Sequence, residues 1–538
     1  MNLRPLPLGI PDFESLRSDG RIYADKTEAV CRLAAQRGKF SLARPRRFGK
    51  SLLLSTFESL FRSGTREFAG LAAEKLWADK TYRVLRLDFS IARSFSSKAE
   101  FLRKFDLMLS VATAQADFSI PRTAGDPIAS LCLFIVSQPS SSLVLLIDEY
   151  DAPLTGHLDN PALFAEVQES LNALWDTVRS CTSPIRFFFM TGITKFTRTG
   201  VFSAFDDLTD ISMDPEYGTI LGFTEDEVRS CFDGYLQRAQ EALGLGKECL
   251  LRELRSGYGG YCFDREASAR VFCPWSVLRF LDSPKDGFAD YWCKTGGQPA
   301  ELMKYLAGHP MARPESFGEA RQLPLSALEG ASSCGDLKPE ALMAQAGYLT
   351  IKAVTDEGFA VLGYPNAEVT ASMARLYADE ILKGRPWRRP EDRPVSEVLA
   401  TCSLAEAAGL FDQAISAIDC KDFPVTNEAV CRSHIQILLF GARIPSDVER
   451  RGALGRSDLE FDAGERHWVL EFKYARNPSE TDERLREGLE QIRTRRCGVS
   501  AGGKKLMRAA FVFDGSERRF TAFAEAAPDK GPADQSLA

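Results

Sequence analysis

The sequence predicts an α/β chain: a doubly wound parallel sheet, then a helical middle region, then a second, smaller α/β domain. Three observations predict it. Residues 39–51, KFSLARPRRFGKS, read as a short apolar strand, a basic loop and Gly-Lys-Ser opening an apolar helical run. Residues 143–149, LVLLIDE, place five apolar residues before an acidic pair, which suits a strand buried on both faces of a parallel sheet. Residues 455–473, GRSDLEFDAGERHWVLEFK, alternate in the manner of a hairpin around the polar turn Ala463-Gly464-Glu465-Arg466.

The first element gives the loop its chemistry. A strand, a loop and GK[ST] at a helix start present backbone N–H groups and the helix dipole to phosphates. Lys50 is placed to reach the β- and γ-phosphates, and Ser51 to offer its hydroxyl to Mg²⁺. The full pattern G-x-x-x-x-G-K-[ST] has glycine where this chain has Arg44, so Pro45, Arg46 and Arg47 must shape the loop differently. On the tripeptide alone, a basic turn before an ordinary helix fits as well.

The strands near 84–89, 143–148 and 186–191 alternate with helical stretches such as 51–62 and 161–178, which is the order of a parallel sheet. Ligands bind at the C-terminal edge of such sheets. Asp148 there is suited to hold the water shell of Mg²⁺ and Glu149 to polarise an attacking water. Thr191, ending RFFFM-T, is suited to contact the γ-phosphate or that water. Lys195 and Arg198 follow at an expected exposed position, where either suits a charge sensor or an arginine finger, and a plain loop cation fits as well.

Thr224-Glu225-Asp226-Glu227 has the form of a helix capping box and opens the helical region, placed at 224–390 with the sheet domain at 8–223. GYGGY at 257–261 reads as a flexible turn, and the Pro- and charge-rich KGRPWRRPEDRPV at 383–395 as a linker. The second α/β domain is placed at 395–525, and the tail 526–538 is expected to be disordered.

In the hairpin, residues two apart share a face, so Glu471 and Lys473 project together beside Asp458. Two carboxylates and a lysine are the equipment of metal-assisted phosphodiester cleavage. The spacing D-x₁₂-E-x-K is loose, and on spacing alone a surface hairpin carrying a salt bridge is its commoner meaning. Glu428 opens a helical run and offers a third carboxylate. Gln491 lies on a following helix, one turn from Gly488.

These stretches together resemble a known family. IPDFE at 10–14, YADKT at 23–27, RPRRFGKS at 44–51, IDEYD at 147–151, TGITKF at 191–196, LGFT at 221–224, GGY at 259–261 and PWS at 274–276 are similar to the AAA-ATPase-like family of prokaryotic P-loop proteins. Its members join that ATPase to a nuclease-like domain of the PD-(D/E)XK superfamily, whose GR-x-D…EFK pattern GRSD…EFK resembles. The resemblance implies ATP and Mg²⁺, with Arg46, Arg47, Phe48, Gly49, Lys50, Ser51, Asp148 and Thr191 around the nucleotide and Glu149 as its catalytic carboxylate. It implies a restriction-endonuclease-like fold at the C-terminus, with Asp458, Glu471 and Lys473 catalytic and Glu428, Asp458 and Glu471 on metal. His434 sits where the family often has a histidine, while a satisfied helix histidine fits equally. Where the family carries asparagines after TGITKF, this chain has Asp206-Asp207.

Composition agrees. At 538 residues the chain exceeds one core, and 44% hydrophobic with 26% charged residues is ordinary for soluble proteins. No apolar run approaches the ~18 residues of a membrane span, and MNLRPLPLGIPDF lacks a signal-peptide core. Thirteen cysteines without a CxxC pair read as free thiols in a reducing compartment, so a cytoplasmic location is expected, with no membrane partner. Four histidines make a His-rich metal centre unexpected. A net charge of −7 argues against a broad basic coat, though not against a local groove for DNA or RNA. Basic clusters at Arg44/Arg46/Arg47, Arg493/Arg495/Arg496 and Lys504/Lys505/Arg508 also fit solvated surface. The sequence leaves room for a homo-oligomer.

Overall fold

The computed structural model describes residues 3–114, 118–123, 125–158, 160–195, 207–292, 320–330, 338–382, 393–416, 424–448, 451–452, 455–495 and 503–526. They form two compact units that divide between Asn366 and Ala367.

The first unit is built on a parallel sheet. Strand β1 (Lys39–Ala43) leads through the basic loop into helix α1 (Lys50–Ser63). Strands β2 (Arg83–Asp88) and β3 (Leu143–Asp148) follow, then helix α2 (Pro161–Ser180), β4 (Ile185–Gly192) and the short β5 (Leu208–Asp210). The order across the sheet is β2-β3-β4-β1-β5, and every pairing is parallel. All six residues of β3 are buried, as a strand covered on both faces requires. Phe57, Phe61, Phe187 and Phe189 pack ring on ring between α1 and the sheet. The register sets Leu42 beside Thr191 and Asp88 beside Asp148, so the C-terminal ends of four strands meet at one edge.

The helical region begins where the capping box predicts. Thr224 accepts the Glu227 N–H, and the Glu227 carboxylate accepts the Thr224 N–H. Helices α3 (Glu225–Cys231), α4 (Asp233–Leu243), α5 (Lys247–Tyr258) and α6 (Pro274–Asp282) bury Val228, Leu236, Leu254, Val277 and Phe280 in one cluster. Leu6, Ile22 and Ala24 from the N-terminal segment join that cluster.

Two findings depart from the sequence reading. An antiparallel sheet, ordered β6-β8-β7, follows the helices: β6 (Arg321–Pro324), β7 (Thr350–Val354) and β8 (Phe359–Gly363). GYGGY is a buried helix end and not a solvent turn. Tyr258 and Tyr261 are covered, and a side chain on Gly260, at φ 80°, would run into the Pro365 carbonyl.

The second unit carries helices α7 (Ala367–Leu382), α8 (Leu404–Ser416) and α9 (Glu428–Gly441), strands β9 (Ser446–Val448), β10 (Leu459–Ala463) and β11 (Arg466–Ala475), helix α10 (Thr481–Arg495), and strands β12 (Lys505–Asp514) and β13 (Arg519–Glu525). The sheet order is β13-β12-β11-β10-β9, with β11 and β12 parallel and the other pairs antiparallel. Alternation sorts the faces. Leu459, Phe461, Trp468, Leu470 and Phe472 join Phe411, Ile435 and Leu439 in the core, each worth about 1.5–3 kcal/mol of burial. Glu471 and Lys473 turn to the opposite face, under α10. The predicted 383–392 part of the linker and the 527–538 tail lie outside the described residues.

Candidate functional site

The loop between β1 and α1 is held by side chains from distant parts of the first unit. Arg44, in place of the expected glycine, is buried. Its guanidinium donates to the Ala43 carbonyl (2.9 Å), the Ser212 carbonyl (2.7 Å) and the Tyr217 carbonyl (3.1 Å), and stacks 4.5 Å over Phe263. Burial drives its pKa down to about 10, which leaves it charged at neutral pH. Left-handed backbone in the loop falls at Arg47 (φ 71°) and Gly49 (φ 97°), while Arg44 has none, so position 44 does not need glycine's freedom. Phe48 wedges edge-on against Tyr261 and Phe263.

Gly49 caps α1 without a side chain, which leaves the first N–H groups of the helix directed at the cleft, the arrangement that attracts phosphate. Lys50 donates to the carbonyls of Arg44 (2.9 Å) and Pro45 (3.0 Å). Burial pushes its pKa down, against the pull of Glu149, Asp148 and Asp151. Ser51 and Leu52 are half-buried beside it. Arg46, Arg47, Gly49, Lys50, Ser51 and Glu149 line a cleft of about 540 Å³ together with the apolar Ile10, Pro11, Ala24, Leu221, Trp275 and Leu278. A lining of charged and apolar groups fits a phosphorylated nucleoside.

At the strand ends, Thr191 is fully buried and donates its hydroxyl to Asp148 (2.7 Å). Arg86 reaches the other Asp148 oxygen at 3.4 Å and Glu58 at 3.3 Å. Glu149 sits at φ 49°, a left-handed conformation costly for a non-glycine residue, and is ion-paired with Arg93. Asp151 accepts the N–H groups of Ile193 (3.2 Å) and Thr194 (2.8 Å), and burial pushes its carboxyl pKa up. Gly192 permits this packing, because a Cβ there would lie 2.6 Å from the Asp151 carboxylate and from the Tyr150 ring. Arg86, Arg93 and Asp151 escaped the sequence reading as functional residues. Asp151 is signalled by the acidic run IDEYD, whereas the two arginines have no local motif.

Lys195 corrects an expectation. It is buried, not exposed, and pairs with Asp210 at 2.7 Å, because β5 lies beside β1 and brings that carboxylate under it. Arg198 and Asp206 lie outside the described residues; Asp207 pairs with Lys39.

In the second unit Lys473 stands between two carboxylates, 3.3 Å from Glu471 and 3.3 Å from Glu428, the first residue of α9. Asp458, just before β10, accepts the Phe472 N–H at 2.8 Å. Burial pushes the Asp458 pKa up and Glu428 adds to the rise, while the Phe472 N–H, Lys473 and Arg432 oppose it. Gly488 lets α10 close over this group: a Cβ there would lie 3.3 Å from the Lys473 side chain and 3.0 Å from Ala510. One turn on, the Gln491 amide oxygen is buried with no hydrogen-bond partner among the described residues. Three hard oxygen donors, one of them carrying a charge that burial disfavours, suit a divalent cation such as Mg²⁺. Among the described residues they are not pre-arranged as a metal cage, and Lys473 fills the space between them.

His434 is buried one turn beyond Val430 on α9, whose backbone faces its ring. Burial drives its pKa down to about 4, so the ring is neutral. Residues that sequence reasoning missed here are Arg432, one turn along α9 from Glu428, and the buried Ser457–Glu460 pair (2.6 Å).

The sequence of a curated protein decides the family. The chain is 33% identical over 384 residues, 69% of its own length and 70% of the relative's, to the "Uncharacterized protein in vnfD 5'region" of Azotobacter chroococcum mcd 1. Residues 7–202 match the family described as "Predicted AAA-ATPase", and residues 427–523 the PD-(D/E)XK nuclease superfamily. The chain belongs to the AAA-ATPase-like family, with a C-terminal PD-(D/E)XK domain. The AAA-ATPase-like match contains the loop, Asp148, Glu149 and Thr191; the nuclease-superfamily match contains Glu428, Asp458, Glu471, Lys473 and Gln491. No helix among the described residues is long and apolar enough to cross a membrane.

Proposed function

We propose that the protein is a cytoplasmic ATPase coupled to a metal-dependent nuclease that cuts DNA or RNA. For the first half, the cleft with Gly49, Lys50 and Ser51 at a helix N-terminus is the support. Lys50 exchanges the carbonyls of its own loop for the β- and γ-phosphates. Asp148 and Ser51 would hold Mg²⁺, and Thr191 and Arg86 position Asp148. Glu149 orients the attacking water once Arg93 releases it.

For the second half, the observation that carries the reading is Lys473 placed 3.3 Å from both Glu428 and Glu471, on the sheet face shared with Asp458. A divalent cation bound there would activate a water and offset charge on the scissile phosphate. Asp458, Glu471 and Glu428 would hold it. Lys473, freed from the two glutamates, donates to the phosphate oxygens as negative charge builds on them. Gln491 offers its orphaned oxygen to the water or to the cation's shell.

The test is cleavage of single- and double-stranded DNA and RNA with Mg²⁺ or Mn²⁺, with and without ATP. The expected result is cleavage by the wild type, a loss of at least ~1,000-fold in Lys473→Ala, and loss of its ATP dependence in Lys50→Ala. ATP hydrolysis with no cleavage of any substrate favours a second reading, a nucleotide-switched binding protein with an inactive nuclease fold. The net charge of −7 supports that reading.

A further inference from the structure

Beside the stack of Arg44 on Phe263, three aromatic contacts tie the phosphate loop to the segment that follows the first sheet. Phe48 is clamped edge-on by Tyr261 (4.9 Å) and Phe263 (5.1 Å). The Trp292 indole N–H donates to the Arg46 carbonyl at 3.2 Å. The Arg47 guanidinium lies 4.4 Å over the ring of Trp275. The first two are a buried wedge and a bond to backbone, and neither depends on charge in the cleft. The third does.

Arg47 is the exposed residue of this loop, lines the same cleft as Lys50, Ser51 and Glu149, and is held at φ 71°, where a side chain is strained. Its ring partner cannot follow it, because the Trp275 indole N–H is fixed on the Tyr291 carbonyl at 3.2 Å. A guanidinium stacked on an aromatic ring is a weaker contact than a bidentate, charge-assisted bond to phosphate. Lys50, buried among Asp148, Glu149 and Asp151, already has carboxylates to balance. Lys50 spans the β- and γ-phosphates in the nucleotide reading, and the exposed arginine supplies the terminal phosphate with a second cation.

We propose that Arg47 distinguishes nucleoside triphosphate from diphosphate by leaving the face of Trp275 for the terminal phosphate. This rests on the nucleotide reading above and adds its regulation. Trp275 is in the first turn of α6, whose Val277, Phe280 and Leu281 belong to the helical cluster. Release of Arg47 thus frees the tie between the loop and α6 in the triphosphate state alone.

The experiment uses the full-length chain, with a non-hydrolysable ATP analogue and ADP, each with Mg²⁺. Affinities come from displacement of a fluorescent nucleotide, and the tryptophan emission of each complex is recorded. Arg47→Ala is expected to weaken the triphosphate analogue at least ~10-fold and ADP less than ~2-fold. Emission is expected to differ between the two complexes in the wild type, and that difference to vanish in Trp275→Phe although five other tryptophans remain of the six. Arg47→Lys, which keeps the charge and loses the fork, recovers part of the discrimination and guards against a folding defect in Arg47→Ala. Equal weakening of both nucleotides, or an emission difference that survives in Trp275→Phe, overturns the role of Arg47 alone. A wild type that binds neither nucleotide overturns the nucleotide reading as well.

Discussion

Lys50 and Lys473 are both buried lysines at the centre of a candidate site, and they are held in opposite ways. Lys50 rests on backbone carbonyls five and six residues before it, inside one continuous loop. Lys473 rests on carboxylates from β11 and from α9, 45 residues away. The first site is made mainly of backbone: helix N–H groups, a glycine cap, a left-handed turn. The second is made wholly of side chains, set by strand register and helix packing. A backbone site survives replacement of side chains that only shape it, provided something else ties the loop. A side-chain site depends on every element that supplies a member.

The backbone site is broken most severely at its supports. Gly192→Ala sets a methyl group 2.6 Å from the Asp151 carboxylate and the Tyr150 ring, and is expected to cost about 3 kcal/mol. Chemical unfolding of the variant measures it, and an unchanged midpoint would show that the strand end can shift freely. Arg44→Gly, which restores the ordinary glycine of the motif, is expected to destabilise by about 2 kcal/mol, because two buried carbonyls and one half-buried carbonyl lose their donor. A stabilised Arg44→Gly would mean that the guanidinium is a passenger.

The smallest expected effect sharpens the contrast from the other side. Asp458 has a pKa raised above its unfolded value. The folded state therefore holds the proton more tightly, so this group favours folding below the ordinary carboxylate range, and that contribution is lost as pH rises through the raised value. At neutral pH the charged form is a cost. Asp458→Asn keeps an acceptor for the Phe472 N–H, and is expected to raise the melting temperature by about 2–4 °C at pH 7 without metal while abolishing cleavage. Calorimetry at pH 7 and pH 4 checks it: the gain shrinks at pH 4, and a gain of equal size at both would rule out the charge as its cause.

Much of the fold was legible beforehand. The strands predicted near 39–43, 84–89, 143–148 and 186–191 match β1 to β4 within a residue, because apolar runs ended by chemistry-bearing residues have few other meanings. The hairpin around Gly464 and the capping box at Thr224 were equally plain. Lys195 was misjudged because the element that buries it, β5, is three residues long and carries no apolar pattern. The sheet β6-β8-β7 was missed for the same reason of brevity, its strands spanning four or five residues.

The sequence by itself determined the parallel sheet, the basic turn that opens α1, and which face of the hairpin carries Glu471 and Lys473. These follow from local geometry: the period of a strand, the freedom of glycine, the start of a helix. Only the tertiary structure decided that Arg44 stands in for a glycine by bonding carbonyls about 170 residues away, that Arg93 holds Glu149, that Thr191 serves Asp148, and that Lys473 pairs with Glu428 as well as Glu471. Each is a side-chain contact across long sequence separation, and a side chain's partner is fixed by packing, not by its neighbours in the chain.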